Sequence, residues 1–247
     1  MDVLVETRFR GFEGVALGGY VGGLLAAALP SAEVKLRRPV PLERPLRVEE
    51  REEGGRELID GDLVLARLRP GPVEVSVPAP VSLAESVAAS ARSLQRSGLV
   101  HSFRGCFTCG NGRSEGDGLR IFAGPVPGRE VVAALWTPGE AFADSAGEVR
   151  PEVVWSALDC PTIAAAVFAS PPDAKEKVVT RQLAVARLSP VRVGEPHVVM
   201  AWLVGRDVRG LFAEGAVLSR EGGLLALARH RLAVASWGVP LGREHWR

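Results

Sequence analysis

Asp159 is the residue whose setting most suggests chemistry. It is the only charged side chain between Glu152 and Asp173, inside the apolar stretch RPEVVWSALDCPTIAAAVFA (150–169). Burying a lone carboxylate is costly unless it is hydrogen-bonded or functional. Pro161 follows two residues later and carries no N–H. The carbonyl of Ala157 therefore loses its helical partner, and a kink is expected there. A kink beside a buried acid makes room for water or a ligand. The competing reading is a structural Asp that caps a new helical segment, with Pro161 in its first turn.

A second group is Cys106-Phe107-Thr108-Cys109-Gly110, a C-x-x-C in the glycine-rich segment 101–122. It could be half of a zinc site, but no second C-x-x-C follows. Cys160 and His101 are the nearby candidates by type, and a closed site needs four ligands. A thioredoxin-like role needs a helix to start after the first Cys, which Gly110-Asn111-Gly112 opposes. The reading adopted is a tight turn with small buried thiols, so no metal is expected on Cys106 or Cys109. The GDGLRIF that follows reads as a turn entering a strand. No dinucleotide fingerprint surrounds these glycines.

The elements that must position these residues come from hydrophobic patterning. VLVETRFRGF near the start reads as a strand. GGYVGGLLAAAL, Gly18 to Leu29, carries no charge and four glycines. The uncharged run from Gly14 to Ala32 contains five glycines and Pro30 and is flanked by Glu13 and Glu33, so a buried helix is favoured over a span or an export signal. Its small-xxx-small spacing suits close packing against another backbone, here expected to be the sheet. The runs 33–40, 45–52, 56–69 and 73–77 alternate as strands do. Residues 82–98 read as an amphipathic helix with Ser82 as N-cap and Gly98 as stop.

The second half then repeats the first. REVVAALW (129–136) is a strand, residues 150–169 are a second apolar helix, and four β-rich runs follow. PVPLERPLRVE (39–49) aligns with PVRVGEPHVVM (190–200), the prolines six residues apart in both, and GRELIDGDLVLAR (55–67) with RGLFAEGAVLSR (209–220). This predicts two fused α+β units, 1–80 and 129–247, joined by a helix-and-loop linker, 81–128.

Those residues resemble the tandem hot-dog acyl-CoA thioesterases of the type II, or TesB-like, group. ALGGYVGGLLAAA (16–28) resembles the F-G-G-Q-x-x-x-Q-A-L-x-A-A helix of that group, and VVWSALDCPTIAA resembles its L-x-Y-x-S-D helix. VVTRQLAVARLSP resembles T-x-D-H-x-x-x-F-H-R-P, and GGLLALARHRLAV resembles G-x-L-V-A-x-x-x-Q-E-G. The resemblance implies a double hot-dog, two antiparallel sheets each wrapping a long apolar helix. It places Asp159 on the catalytic Asp, Thr180 on the catalytic Thr and His230 near the catalytic Gln. Tyr20 stands where Gln is usual.

The implied reaction is hydrolysis of an acyl-CoA thioester by Asp159-activated water, with Thr180 and His230 orienting the water or the acid. Backbone amides at Gly18, Gly19 and Tyr20, or at the start of the second apolar helix, would bind the thioester oxygen. The acyl-CoA is the substrate and no further cofactor is expected. Arg181 and Arg187 are candidates for CoA phosphates, and Trp155, Trp202 and Trp237 for the acyl tunnel or the core. Alternatives are a non-catalytic acyl-CoA or lipid binder and a hot-dog dehydratase or hydratase. With 30 basic and 29 acidic residues the chain has no basic excess, which argues against a general nucleic-acid binder. Three cysteines form no paired framework and point to a reducing, cytoplasmic setting. No membrane span is expected, and the oligomer is expected to be a monomer or homodimer.

Overall fold

The computed structural model describes residues 1–97, 104–171, 176–208 and 210–236. The elements run β1 (Asp2–Leu4), α1 (Gly18–Ala26), β2 (Ser31–Leu36), β3 (Pro45–Glu50), β4 (Arg56–Asp60), β5 (Leu63–Pro70), α2 (Leu83–Ala91), α3 (Leu94–Ser97), β6 (Gly124–Pro125), β7 (Val132–Trp136), α4 (Pro151–Ala169), β8 (Glu176–Arg187), β9 (His197–Asp207), β10 (Gly210–Leu218) and β11 (Leu224–Ser236). The class is α+β, with the architecture of a double hot-dog. The two expected sheets join edge to edge: the strand order is β1-β3-β4-β5-β2-β8-β11-β10-β9-β7-β6. The seam is the antiparallel pair β2–β8, from Ser31 opposite Ala186 to Lys35 opposite Gln182.

Both apolar helices lie on one face of this sheet. α4 packs against β7 to β11, while α1 packs against β2, β4, β5 and β8 and directly on α4. Three of the four α1 glycines serve that helix–helix contact, and Gly22 faces the sheet as well. A Cβ at Gly19 would lie 2.7 Å from the Trp155 carbonyl oxygen, at Gly22 2.6 Å from the Trp155 ring, and at Gly23 2.3 Å from Glu152 Cα. At Gly18 the obstructing atoms are on strands, Leu36 and Thr180, and at Gly22 Val34 of β2 stands 2.7 Å away beside the Trp155 ring.

α4 is the one helix among the described residues long and apolar enough to cross a membrane by composition, yet 67% of its 18-residue window is buried inside the fold. Its apolar surface is spent on the core. Pro161 sits inside this helix, which continues through it to Ala169.

Several local expectations change. The opening segment forms only the short β1, followed by a 3-10 turn at Thr7–Phe9. VEVSV forms no strand, although Val73, Val75 and Val77 do pack together on the outer face of the sheet. Its period of two reports one-sided burial of an extended chain, without a ladder. GDGLRIF does not enter a strand either; the Ile121 N–H bonds the Thr108 carbonyl at 2.9 Å instead. The 82–98 helix divides into α2 and α3. Ser82 caps α2 in a reciprocal capping box with Glu85. Gly98, His101 and Trp237 lie outside the described residues.

Candidate functional site

Asp159 projects from the middle of α4 and is fully buried. One oxygen, Oδ2, accepts the Gly19 N–H at 2.6 Å, and the other, Oδ1, accepts the Thr180 hydroxyl at 2.7 Å. The first contact spans 140 residues of sequence and joins the two halves. It places a carboxylate on the first turn of α1, where unpaired amides and the helix dipole favour negative charge. Burial raises the carboxyl from its usual value to about 6, against the opposing pull of these two hydrogen bonds.

Thr180 reaches the acid because of a bulge. The β8–β11 register shifts between Arg231 and Leu232, so Arg181 is the extra residue on β8. On one side of it Leu183 and Val185 face the helices; on the other, Val178 packs with Ala166 of α4. The inserted residue changes the phase of the alternation and turns Thr180 toward Asp159.

His230 lies on β11, opposite Leu183 of β8 and Ala213 of β10. Its Nε2 stands 3.9 Å from Asp159 Oδ1, too far for a hydrogen bond, and is buried without a partner. Its Nδ1 meets the Thr162 hydroxyl at 2.5 Å. That hydroxyl also contacts the carbonyls of Leu158 at 2.9 Å and Asp159 at 2.7 Å. Carbonyls only accept, so the single Thr162 proton goes to them and His230 Nδ1 is the N–H donor. Nε2 is then a bare acceptor turned toward the acid. Sequence reasoning misses Thr162, although its i,i+3 spacing from Asp159 puts both on one helix face.

Burial lowers the His230 imidazole to about 3. Its described neighbours on α4 are Thr162 and Asp159, the latter the one titratable group of the two, and its cross-strand partners Leu183 and Ala213 are apolar. A folded value below the unfolded one of about 6.5 means that the unfolded chain binds the extra proton. This contribution is therefore complete above about pH 6.5 and is lost as pH falls toward 3. The wild type should lose about 2 kcal/mol relative to His230→Gln between pH 6.5 and 5. Urea unfolding of both proteins across that range checks it, and parallel stability profiles refute it.

Gly18, Gly19 and Tyr20 are placed differently from one another. The Gly19 amide is committed to Asp159, so it does not serve as a free donor. Tyr20 turns its ring into an aromatic group, stacked on Phe9 with centroids 3.9 Å apart and edge-on to Phe107. Burial, with Glu152 nearby, pushes its hydroxyl up to about 12. Arg187 is also committed: it donates to the carbonyls of Ala27 and Leu29 at 3.1 Å, at the end of α1. Trp155 packs under Gly22 as core, and Trp202 is buried in the cluster on the other sheet face.

The Cys106 loop packs beside this site. Thr108 donates to the Ser156 carbonyl of α4 at 2.8 Å, and Phe107 N–H bonds the Arg10 carbonyl at 2.8 Å. The loop brings Cys106 and Cys109 to Cys160, with all three sulfurs within 4.8 Å of one another. Contacts with the Cys109 and Cys160 thiols, then backbone amides, hold the Cys106 thiol well below its usual range, and those of Cys109 and Cys160 are pushed up by sharing protons with it.

No protein-family model matches the sequence, and comparison with curated proteins finds no relative. Solved structures do match. The TesB protein of Mycobacterium avium subsp. paratuberculosis superposes with a TM-score of 0.57 at 14% identity, over 90% of this chain and 88% of that one. Acyl-CoA thioesterase II TesB2 of Mycobacterium marinum gives 0.58 at 10% identity, over 89% and 91%. A hot-dog protein of unknown function from Alicyclobacillus acidocaldarius gives 0.53 at 12%, over 95% and 92%. Coverage of nearly the whole chain shows the fold to be the double hot-dog.

Proposed function

We propose that the protein hydrolyses an acyl-CoA thioester to a carboxylic acid and CoA. The observation that carries this reading is the Asp159 carboxylate, buried and held by Thr180 and by the first turn of α1. A water donating one proton to Asp159 Oδ1 and the other to His230 Nε2 would present its lone pair outward. The two acceptors are 3.9 Å apart, which one bridging water can span. Attack on the thioester carbon passes the water proton to Asp159. The C–S bond then breaks, and the leaving thiolate takes that proton back. With Gly19 engaged, the amides of Gly18 and Tyr20 are the remaining first-turn donors for the carbonyl oxygen. Acyl-CoA is the small-molecule partner in this reading, no further cofactor takes part in the hydrolysis, and the setting is cytoplasmic.

One observation favours a second reading, a non-catalytic acyl-CoA or lipid binder. Asp159 is wholly enclosed and both its oxygens already accept a hydrogen bond, so a substrate must displace packing to reach it. A panel of acyl-CoAs of graded chain length, with detection of free thiol, separates the two. The hydrolase reading expects CoA release that saturates with substrate. Saturable acyl-CoA binding without release overturns it in favour of the binder.

A further inference from the structure

We propose that Cys106, Cys109 and Cys160 together bind one thiophilic divalent cation of the Zn2+ class, clamping the 104–122 loop onto α4 beside Asp159. The three sulfurs come from two segments 54 residues apart in sequence, yet all lie within 4.8 Å of one another, Cys106 and Cys160 at 3.5 Å. A tetrahedral cation with Zn–S bonds of about 2.3 Å spaces its sulfurs by about 3.8 Å. The cluster brackets that spacing. A disulfide fits less well: the 3.5 Å pair is far beyond a bond of about 2.05 Å, and any one bridge leaves a third thiol over.

The turn itself is built for a sulfur-bound cation. Cys106 and Cys109 stand three residues apart on one turn, which sets both sulfurs beside Cys160. The Gly110 amide closes the turn on the Cys106 carbonyl at 3.0 Å. A Cβ at Gly110 would lie 2.4 Å from that carbonyl oxygen, so the turn requires glycine there. C-x-x-C-G is thus a preformed two-sulfur arm, and α4 brings the third sulfur to it.

Each thiol that binds releases its proton to solvent, so three thiolates and a divalent cation leave a net charge of −1. The fourth position of the tetrahedron goes to water or another small ligand. The clamp holds Phe107, which packs edge-on to Phe9, Tyr20 and Phe142, and Thr108, which bonds α4. Losing the cation should therefore loosen the cover over the acid.

The test uses the full chain, purified under reducing conditions without chelator from zinc-supplemented cells. Elemental analysis should find about one zinc per chain. Apoprotein titrated with Co2+ should develop thiolate-to-cobalt charge-transfer bands and the visible bands of a tetrahedral site. Cys106→Ser, Cys109→Ser and Cys160→Ser should each lose both signals. If the serine variants fail to fold, the wild type decides: added Zn2+ should raise the Tm of the apoprotein. Wild-type protein without bound zinc, without cobalt–thiolate bands and with a Tm indifferent to Zn2+ overturns the proposal. So does a disulfide among the three cysteines in anaerobically purified protein.

Discussion

Asp159→Asn is expected to cut acyl-CoA turnover by about 10²- to 10⁴-fold, the usual contribution of a positioned general base. The substitution is close to isosteric. The Asn carbonyl can still accept the Gly19 N–H, and its amide can donate to the Thr180 oxygen, whose proton is then free to turn elsewhere. The helix contact therefore survives while the proton acceptor is lost. Steady-state hydrolysis with free-thiol detection checks the rate, and thermal unfolding checks the fold. Loss of turnover at unchanged Tm and unchanged acyl-CoA affinity is the expected result. Turnover equal to wild type would remove Asp159 from the mechanism and reduce it to a helix tether.

Gly23→Ala should cost the fold about 3 kcal/mol or more, through overpacking against main chain. The new methyl would sit 2.3 Å from Glu152 Cα and 3.0 Å from Glu152 N. A flexible side chain could swing aside, but these are backbone atoms in the first turn of α4. The two helices would have to part, opening the Gly22–Trp155 packing along with the contact itself. Gly71→Ala is the control. A methyl at Gly71 would meet no atom within 4 Å, and the backbone there has no positive φ, so the change should shift stability by less than about 1 kcal/mol. Urea unfolding of both variants decides; matching midpoints would mean that α1 and α4 do not pack this closely.

The two helices show what the sequence could and could not reveal. Asp159 was legible because a charge inside an apolar run is visible in one dimension. The duplicated units were legible because the proline pairs 39/45 and 190/196 punctuate equivalent strands. The surface the α1 glycines face was not. Spacing says that a backbone approaches closely, but it does not say whether strand or helix, and here α4 takes that place at three of the four positions. Nor could sequence show that the Gly19 amide is taken, since its partner lies 140 residues away and the contact exists only where the helices cross. Nor could sequence show that Arg187 donates to the carbonyls at the end of α1, since a strand arginine carries the same charge whether it faces solvent or carbonyls. The bulge at Arg181 has no sequence signature, yet it decides where Thr180 points.

The seam between β2 and β8 has a consequence for how the halves can vary. Two separate chains meeting along such an edge would part on dilution, and identical chains would have to carry identical residues on both sides. A tether makes the encounter unimolecular, so the local concentration of each half around the other is set by the linker and not by the cell. It also lifts the symmetry requirement: one copy can keep the acid while the other keeps the glycines that receive it. The cost of that freedom is mutual dependence. Neither half expressed alone can assemble the Asp159–Gly19 contact, and activity would return only when both fragments are supplied together.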